Sequence, residues 1–168
     1  MYARYQDSPT LPLLDAVCEE SKLVTKSADP LRVGAFYSLW KWRLIEQIVF
    51  GHGQTDVEAE RMEDKLLPDT EDYLKSHTCG LCIATEQHLP YSRGDHCDIC
   101  PLFLTSRRKC SDESSAWWQV GISRRTTYIP YMVKQLESAL DFQINTQQYI
   151  APINLPLLQL ATLAISLE

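Results

Sequence analysis

The chain has 168 residues, a formal net charge of −6, 45% hydrophobic residues and 23% charged residues. This length allows one domain to bury a substantial core without covalent cross-links, and the composition excludes a disordered or fibrous protein. The overall acidity also argues against strong non-specific binding of nucleic acid. We therefore predict a single domain over residues 1–168.

The sequences near the two ends of the chain indicate in which cellular compartment we expect the protein. The opening residues MYARYQDSPTLPLLDAV lack the basic, apolar and small-residue pattern of a secretory signal, so we expect a cytoplasmic protein. The apolar stretch INLPLLQLATLAISLE is too short to span a bilayer and contains polar residues, so we expect no membrane partner. We interpret this stretch as a helix that either closes the core or docks a second copy of the chain, which would form a homo-oligomer.

The first two predicted helices have start signals. The segment LPLLDAVCEESKLVTK follows Thr10, which we predict as its N-cap, and Pro12 suits its first turn. The second helix has Asp29 as its N-cap and Pro30 at its first position, and it should end at Gly51. Apolar residues recur on it every three or four positions, which predicts a core-facing stripe of Val33, Phe36, Trp40, Leu44 and Ile48.

Helical patterns also dominate the rest of the chain. A capping box predicts a charged, exposed helix from Thr55 to Pro68, and DTEDYLKSH predicts a short helical turn. The segment YMVKQLESALDFQINTQQYI predicts a helix that begins near Tyr131 and has an apolar face of Val133, Leu136, Leu140 and Ile144. Pro101 suits the start of a short helix, and a last helix should begin at Asn154. No strand-like alternation of any length is present. The sequence therefore predicts a mainly α fold with an inserted zinc-binding loop region, residues 77–110.

Two Cys-x-x-Cys pairs distinguish this segment. Cys79 and Cys82 form the first pair, and Cys97 and Cys100 form the second. Two residues between thiolates let a tight turn aim both sulfurs at one ion, and a longer loop brings the second pair round to complete a tetrahedron. In a reducing cytoplasm such pairs are more often metal ligands than disulfides. The sequence therefore predicts a Zn²⁺ site in which these four cysteines are the ligands.

The ligand set and the metal both have alternatives. Cys110 follows the second pair and could replace one ligand, and His96 beside Cys97 could do the same. Four thiolates also suit an iron–sulfur cluster, although the spacing matches neither common ferredoxin pattern. A set of free buried thiols is a further alternative, but the polar neighbours of the pairs give five thiols no evident reason for burial.

The sequence offers little support for catalysis. A zinc ion with four cysteine ligands has no open position for water, so its default role is structural. The chain also lacks His-Glu-x-x-His, a phosphate-binding Gly-rich loop, Gly-x-Ser-x-Gly and the zinc deaminase signature. We therefore expect a protein that is not an enzyme, and a metal-dependent or iron–sulfur redox enzyme is the minority hypothesis.

Basic and aromatic residues follow the cysteines, in a region that is less acidic than the rest of the chain. They could bind phosphates and stack on bases, or they could contact a protein, because aromatic residues and Arg dominate protein-binding hot spots. Short basic runs are also commonly only solvated, and adjacent Trp residues commonly divide between core and surface. The candidate residues for binding a partner are Arg107, Arg108, Lys109, Trp117, Trp118, Arg124 and Arg125.

The order of these motifs resembles small proteins of tailed bacteriophages that carry Cys-x-Leu-Cys, Cys-x-x-Cys-Pro and a later single Cys. The resemblance covers about residues 31–142. The residues that carry it are Cys79, Leu81, Cys82, Cys97, Cys100, Pro101 and Cys110. It implies a phage or mobile-element origin, hence the cytoplasm of a host, and a metal site in which Cys110 is a candidate ligand.

Together these observations predict a zinc-stabilised, phage-like protein that acts by binding another macromolecule. A protein partner is favoured, such as a host or defence protein that this chain would inhibit or bridge. A zinc module that binds nucleic acid through residues 107–125 is the alternative.

Overall fold

A computed structural model describes residues 10–50, 71–75, 78–88 and 96–146. Every regular element in these ranges is a helix, which confirms the predicted mainly α class for this part of the chain. The α-helices are α1 (Leu11–Ser21), α2 (Pro30–Phe50), α3 (Gly80–His88), α4 (Pro101–Ser106), α5 (Ala116–Gly121) and α6 (Ile129–Thr146). Shorter 3₁₀ turns cover Val24–Lys26, Glu71–Leu74, His96–Ile99 and Thr126–Tyr128.

The predicted starts of α1 and α2 are confirmed in position, and the predicted N-cap hydrogen bond is present at α2. At the start of α2 the Asp29 carboxylate accepts a hydrogen bond from the backbone N–H of Arg32 at 3.2 Å, as an N-cap should. Thr10 occupies the N-cap position of α1, but its side chain makes no capping bond. Helix α1 ends at Ser21, earlier than predicted, and a 3₁₀ turn at Val24–Lys26 follows. The predicted helices over residues 55–68 and from residue 154 lie outside the described residues.

Helix α2 is the centre of the core. It packs against α1, α3 and α6, so it is buried on more sides than the predicted single stripe. Phe36 and Val33 of that stripe are only partly buried. The difference arises because small residues on other faces, among them Ala35 and Ser38, let further helices approach. The buried residues of α2 are Gly34, Ala35, Tyr37, Ser38, Leu39, Trp40, Lys41, Trp42, Leu44, Ile45, Ile48 and Val49.

Helices α2 and α3 cross with their backbones in contact. A Cβ atom added to Gly34 would lie 2.5 Å from the carbonyl oxygen of Gly80 and 3.1 Å from the Cβ atom of Ala84. A Cβ atom added to Gly80 would lie 2.7 Å from the carbonyl oxygen of Gly34. Only glycine fits on both sides of this crossing. The crossing holds Cys79, the residue before α3, against α2.

Helix α6 covers α2 with the predicted apolar face. Leu136 is completely buried and Val133 is nearly so, whereas Tyr131 projects outward with 61% of its surface exposed. Helices α4 and α5 also pack on α6. Among the helices that the structure describes, none has the length and hydropathy needed to cross a bilayer.

The helix crossing gives a stability prediction. We expect Gly34→Ala to lower the free energy of unfolding by about 1–3 kcal/mol, because the new methyl group forces the two backbones apart. Gly121→Ala is the matched control, since its Cβ atom would meet nothing closer than the Trp117 ring at 3.8 Å. Urea unfolding of both variants measures the difference. Equal stability of the two variants would show that the crossing tolerates a side chain.

Candidate metal centre

The cysteines of segment 77–110 lie at helix starts or in tight turns. The described part of this segment is mostly helical: the helix that begins at Pro101 agrees with the sequence, whereas the helix that begins at Gly80 lies where a loop was predicted. The residues after the first pair, Ile-Ala-Thr-Glu-Gln, continue as helix α3. Cys79 precedes α3 and Cys82 lies in its first turn, Cys97 lies in the 3₁₀ turn His96–Ile99, Cys100 is the N-cap of α4, and Cys110 lies in the turn after α4.

Four of these five thiols belong to the hydrophobic core. Cys79 and Cys100 are 7% and 8% exposed, and the partly buried Cys82 and Cys110 pack against the same cluster. Cys97 is partly buried and lies outside that cluster. All six cysteines of the chain are free thiols. Cys110, the alternative ligand from the sequence, therefore packs against the same core as the first pair and Cys100.

Cys79 has the surroundings of a thiolate. Its Sγ atom lies 3.5 Å from the Oγ atom of Ser38. The Ser38 oxygen accepts a hydrogen bond from the backbone N–H of Leu81 at 3.1 Å, so the Ser38 O–H is available to donate to the sulfur. The Cys82 thiol also hydrogen-bonds to this sulfur. That bond, the charge of Lys41 and the Ser38 hydroxyl hold the pKa of Cys79 well below its ordinary value, although burial opposes them.

The other core thiols are held neutral. The hydrogen bond to Cys79 and the charge of Cys79 raise the pKa of Cys82, with smaller contributions from burial, Cys110 and Cys100. Burial and the charge of Cys79 raise the pKa of Cys100 to about 11, although backbone N–H groups donate to its sulfur. Burial raises the pKa of Cys110, as do the charges of Cys79, Cys100 and Cys97. The thiols thus lie close enough to repel one another when ionised.

Proximity alone does not make a finished coordination site. Within the described ranges, no three or more His, Cys, Asp or Glu side chains already enclose the position of a metal ion. The thiols of Cys79 and Cys82 hydrogen-bond to each other instead. The alternative ligand His96 begins the 3₁₀ turn that also carries Cys97. Thiolates are the ligands that thiophilic cations prefer, so the residue types suit such a cation, but their arrangement in this structure does not form a site for one.

A buried lysine accompanies the thiols. Lys41 is 2% exposed, and its Nζ atom donates to the carbonyl oxygen of Thr78 at 2.9 Å and to the Thr78 Oγ1 atom at 3.3 Å. The sequence analysis missed this residue and Ser38. The burial of Lys41 could have been inferred from its position between Trp40 and Trp42 on a core helix, where no acidic residue lies one turn away in either direction.

The predicted basic residues differ in what they contact. Arg107 is exposed with a left-handed backbone (φ 58°), and the Arg108 guanidinium donates to the carbonyl oxygen of Ser114 at 2.8 Å. Lys109 forms an ion pair with Asp98 at 2.9 Å, and its ammonium lies 5.7 Å from the centre of the Phe103 ring. Arg124 is partly buried, also with positive φ, and Arg125 is exposed. Part of the predicted positive charge is therefore balanced within the protein.

The two tryptophans predicted to bind a partner lie in helix α5, which the sequence analysis missed. The Trp117 indole N–H donates to the carbonyl oxygen of Leu74 at 3.0 Å, so this ring ties α5 to the segment before the cysteines. Trp118 is partly buried, and its backbone N–H is capped by the Ser115 hydroxyl at 3.0 Å. The Trp117 side chain thus contributes to packing, as adjacent tryptophans often do.

The Ser38 hydroxyl gives the second prediction. We expect Ser38→Ala to lower the free energy of unfolding by about 1–3 kcal/mol, because it leaves the buried N–H of Leu81 without its acceptor. Ser138→Ala is the matched control, since the exposed Ser138 hydroxyl only donates to the Lys134 carbonyl at 3.1 Å. Denaturant unfolding of the reduced, metal-free protein compares the two. Similar small losses in both variants would contradict a structural role for the Ser38 hydroxyl.

Comparison of the chain with protein-family models, with curated proteins and with solved structures finds no match. The chemistry of the cysteines and of the residues around them is therefore the basis for assigning a function. That chemistry combines one thiol whose pKa is lowered, neighbouring thiols whose pKa values are raised by burial and by one another's charges, and a buried lysine.

Proposed function

We propose that this chain is a non-enzymatic helical protein that binds zinc through Cys79, Cys82, Cys100 and Cys110 and uses the bound ion to stabilise its fold. The observation that carries the proposal is that Cys82, Cys100 and Cys110 each lie near enough to Cys79 for its charge to raise their pKa, and that all four residues pack in or against the hydrophobic core. A cation that binds four thiolates relieves this repulsion and links α3, α4 and the turn after α4.

The choice of Cys110 over Cys97 rests on packing. Cys110 packs against the core cluster with the other three cysteines, whereas Cys97 does not. The charges of Cys110 and Cys100 raise the pKa of Cys82, in addition to the charge of Cys79. Cys97 remains close to Cys110, so it is the competing fourth ligand. The first-choice set from the sequence, with Cys97 in place of Cys110, is thus the direct alternative for a test.

Zinc is favoured over iron by the donor set and its surroundings. Four thiolates in a largely buried site form the closed coordination typical of structural zinc, with no position for a reactive water. Sulfurs that accept backbone N–H groups also fit this role, as the Cys79 and Cys100 sulfurs do here. An iron–sulfur cluster is the outcome to be distinguished by absorption at visible wavelengths.

We further propose that the stabilised fold binds a protein through the surface where α6 begins. Tyr131 is 61% exposed and its ring lies 5.8 Å from that of Tyr128, while Ile122 before this region is 54% exposed. Exposed aromatic residues beside arginines are typical of binding hot spots. The phage resemblance favours a host or defence protein as the partner.

Metal analysis tests the zinc proposal. We expect roughly one zinc ion per chain in protein purified under reducing conditions, and its loss in Cys100→Ser and Cys110→Ser. Cys97→Ser should keep the metal, and so should the control Cys18→Ala, because Cys18 lies on α1 outside the site. A protein without zinc overturns the proposal. If Cys97→Ser loses zinc and Cys110→Ser keeps it, the ligands are instead Cys79, Cys82, Cys97 and Cys100, the set that the sequence favours.

Affinity purification tests the partner proposal. We expect the wild-type chain to capture a protein from the lysate of its native host, to keep it after nuclease treatment, and to lose at least ten-fold of it on Tyr131→Ala, as for a hot-spot residue. Ser138→Ala, an exposed change farther along α6, is the control. A partner that disappears on nuclease digestion would favour nucleic-acid binding through residues 107–125 instead. Equal capture by Tyr131→Ala would exclude this surface.

A further inference from the structure

We propose that the partner of this chain presents an acidic segment with an apolar side chain to residues 122–134, the α5–α6 corner. This inference rests on the protein-binding surface proposed above and deepens it, because it names the chemistry of the partner. It does not depend on the metal centre. The α5–α6 corner comprises the turns that join α5 to α6 and the beginning of α6.

The α5–α6 corner exposes apolar side chains on an anchored backbone. Among the described residues, the large hydrophobic side chains that are exposed are Leu23, Ile122 and Tyr131, and the last two belong to this corner. Between them along the chain, Thr126 and Ile129 are completely buried. The backbone that carries the exposed side chains is therefore fixed to the core, so this surface loses little conformational entropy when a partner binds.

The same corner is positively charged in an acidic protein. Residues 114–136 contain no Asp or Glu, although the whole chain has a net charge of −6. The basic residues in this range are Arg124, Arg125 and Lys134. Arg125 and Lys134 are exposed, and in the part of the chain that the structure describes neither of them forms an ion pair. The charge of the corner is therefore complementary to carboxylates of a partner.

The apolar and the charged side chains lie side by side. Lys134 follows Tyr131 by three positions on α6, so the two side chains are neighbours on the helix surface. The Tyr131 ring also lies 5.8 Å from the ring of Tyr128, which follows Arg125 by three residues. An acidic segment that covers the tyrosine rings with an apolar side chain places its carboxylates next to these cations. An apolar centre with a polar rim is the usual arrangement of a protein interface.

A nucleic acid fits this surface less well. Proteins that bind nucleic acid through phosphates commonly make about 6–10 such contacts, more than the basic residues of the corner can provide. Ile122 has no ring on which a base could stack. A long polyanion would also extend beyond the corner onto a protein with a net charge of −6. A short acidic segment of a protein is therefore favoured.

Selection from a library of short random peptides tests the chemistry of the partner. We expect the peptides that the full chain retains to be enriched in Asp and Glu beside an aromatic or branched aliphatic residue. The net charge of the chain alone would favour basic peptides, so enrichment of acidic peptides requires a local surface that attracts them. Enrichment of neutral or basic peptides, or of no peptide, would overturn the inference.

Matched variants locate the surface. With a fluorescent peptide from that selection, we expect Ile122→Ser and Arg125→Glu each to weaken binding about two- to ten-fold, as for one apolar contact and one surface ion pair. Leu23→Ser, a change at the same 54% exposure, and Lys26→Glu, in the turn after α1, should bind like the wild type. Fluorescence anisotropy measures the affinities. Equal affinities within either matched pair would show that the peptide binds elsewhere, which overturns the inference.

The outcomes also separate this inference from the surface on which it rests. A protein captured from the host lysate that requires Tyr131 but binds equally well to Arg125→Glu overturns the acidic chemistry alone. Capture that does not depend on Tyr131 overturns both the surface and the inference. Tighter binding of a single-stranded oligonucleotide than of the selected peptide overturns the inference in favour of a nucleic-acid partner.

Discussion

The contact between the backbones of α2 and α3 determines where the candidate metal centre can form. Because Gly34 and Gly80 touch, the start of α3 lies directly on α2, and the residues of α2 one and two turns farther along face the first cysteine pair. Those residues are Ser38 and Lys41, which provide a hydroxyl and a positive charge to Cys79. With a wider separation of the helices the same cysteines would still be present, but without these two neighbours.

The described structure also shows how a hydrophobic core and an ionisable site share the same helix. Helix α2 carries the aromatic residues Trp40 and Trp42 next to a fully buried lysine. Such an arrangement is stable only if the charge has a counterpart, because an isolated buried ammonium costs several kcal/mol. The thiols on which the charge of Lys41 acts are those of Cys79, Cys110 and Cys18. Core packing and the pKa of Cys79 are therefore coupled through one residue.

Several features could be predicted from the sequence because they depend on local signals. Asp29 and Pro30 marked the start of α2, Pro101 marked the start of α4 after Cys100, and the spacing of Val133 and Leu136 gave the buried face of α6. The course of α3 was not predicted, because two cysteines and polar neighbours obscure its helical pattern. The burial of Lys41 and the packing of Cys110 against the core could not be read from spacing, since both arise only when distant segments pack together.

The glycine pair has a consequence for how related chains can be recognised. Each glycine is restricted by the backbone of the other, so in chains that share this crossing both positions should remain small together, even where the surrounding core residues have changed. A bulky residue at either position would mark a divergent chain in which the helices have separated. In such a chain, cysteines with the same spacing would no longer be a reason to assign the same metal chemistry.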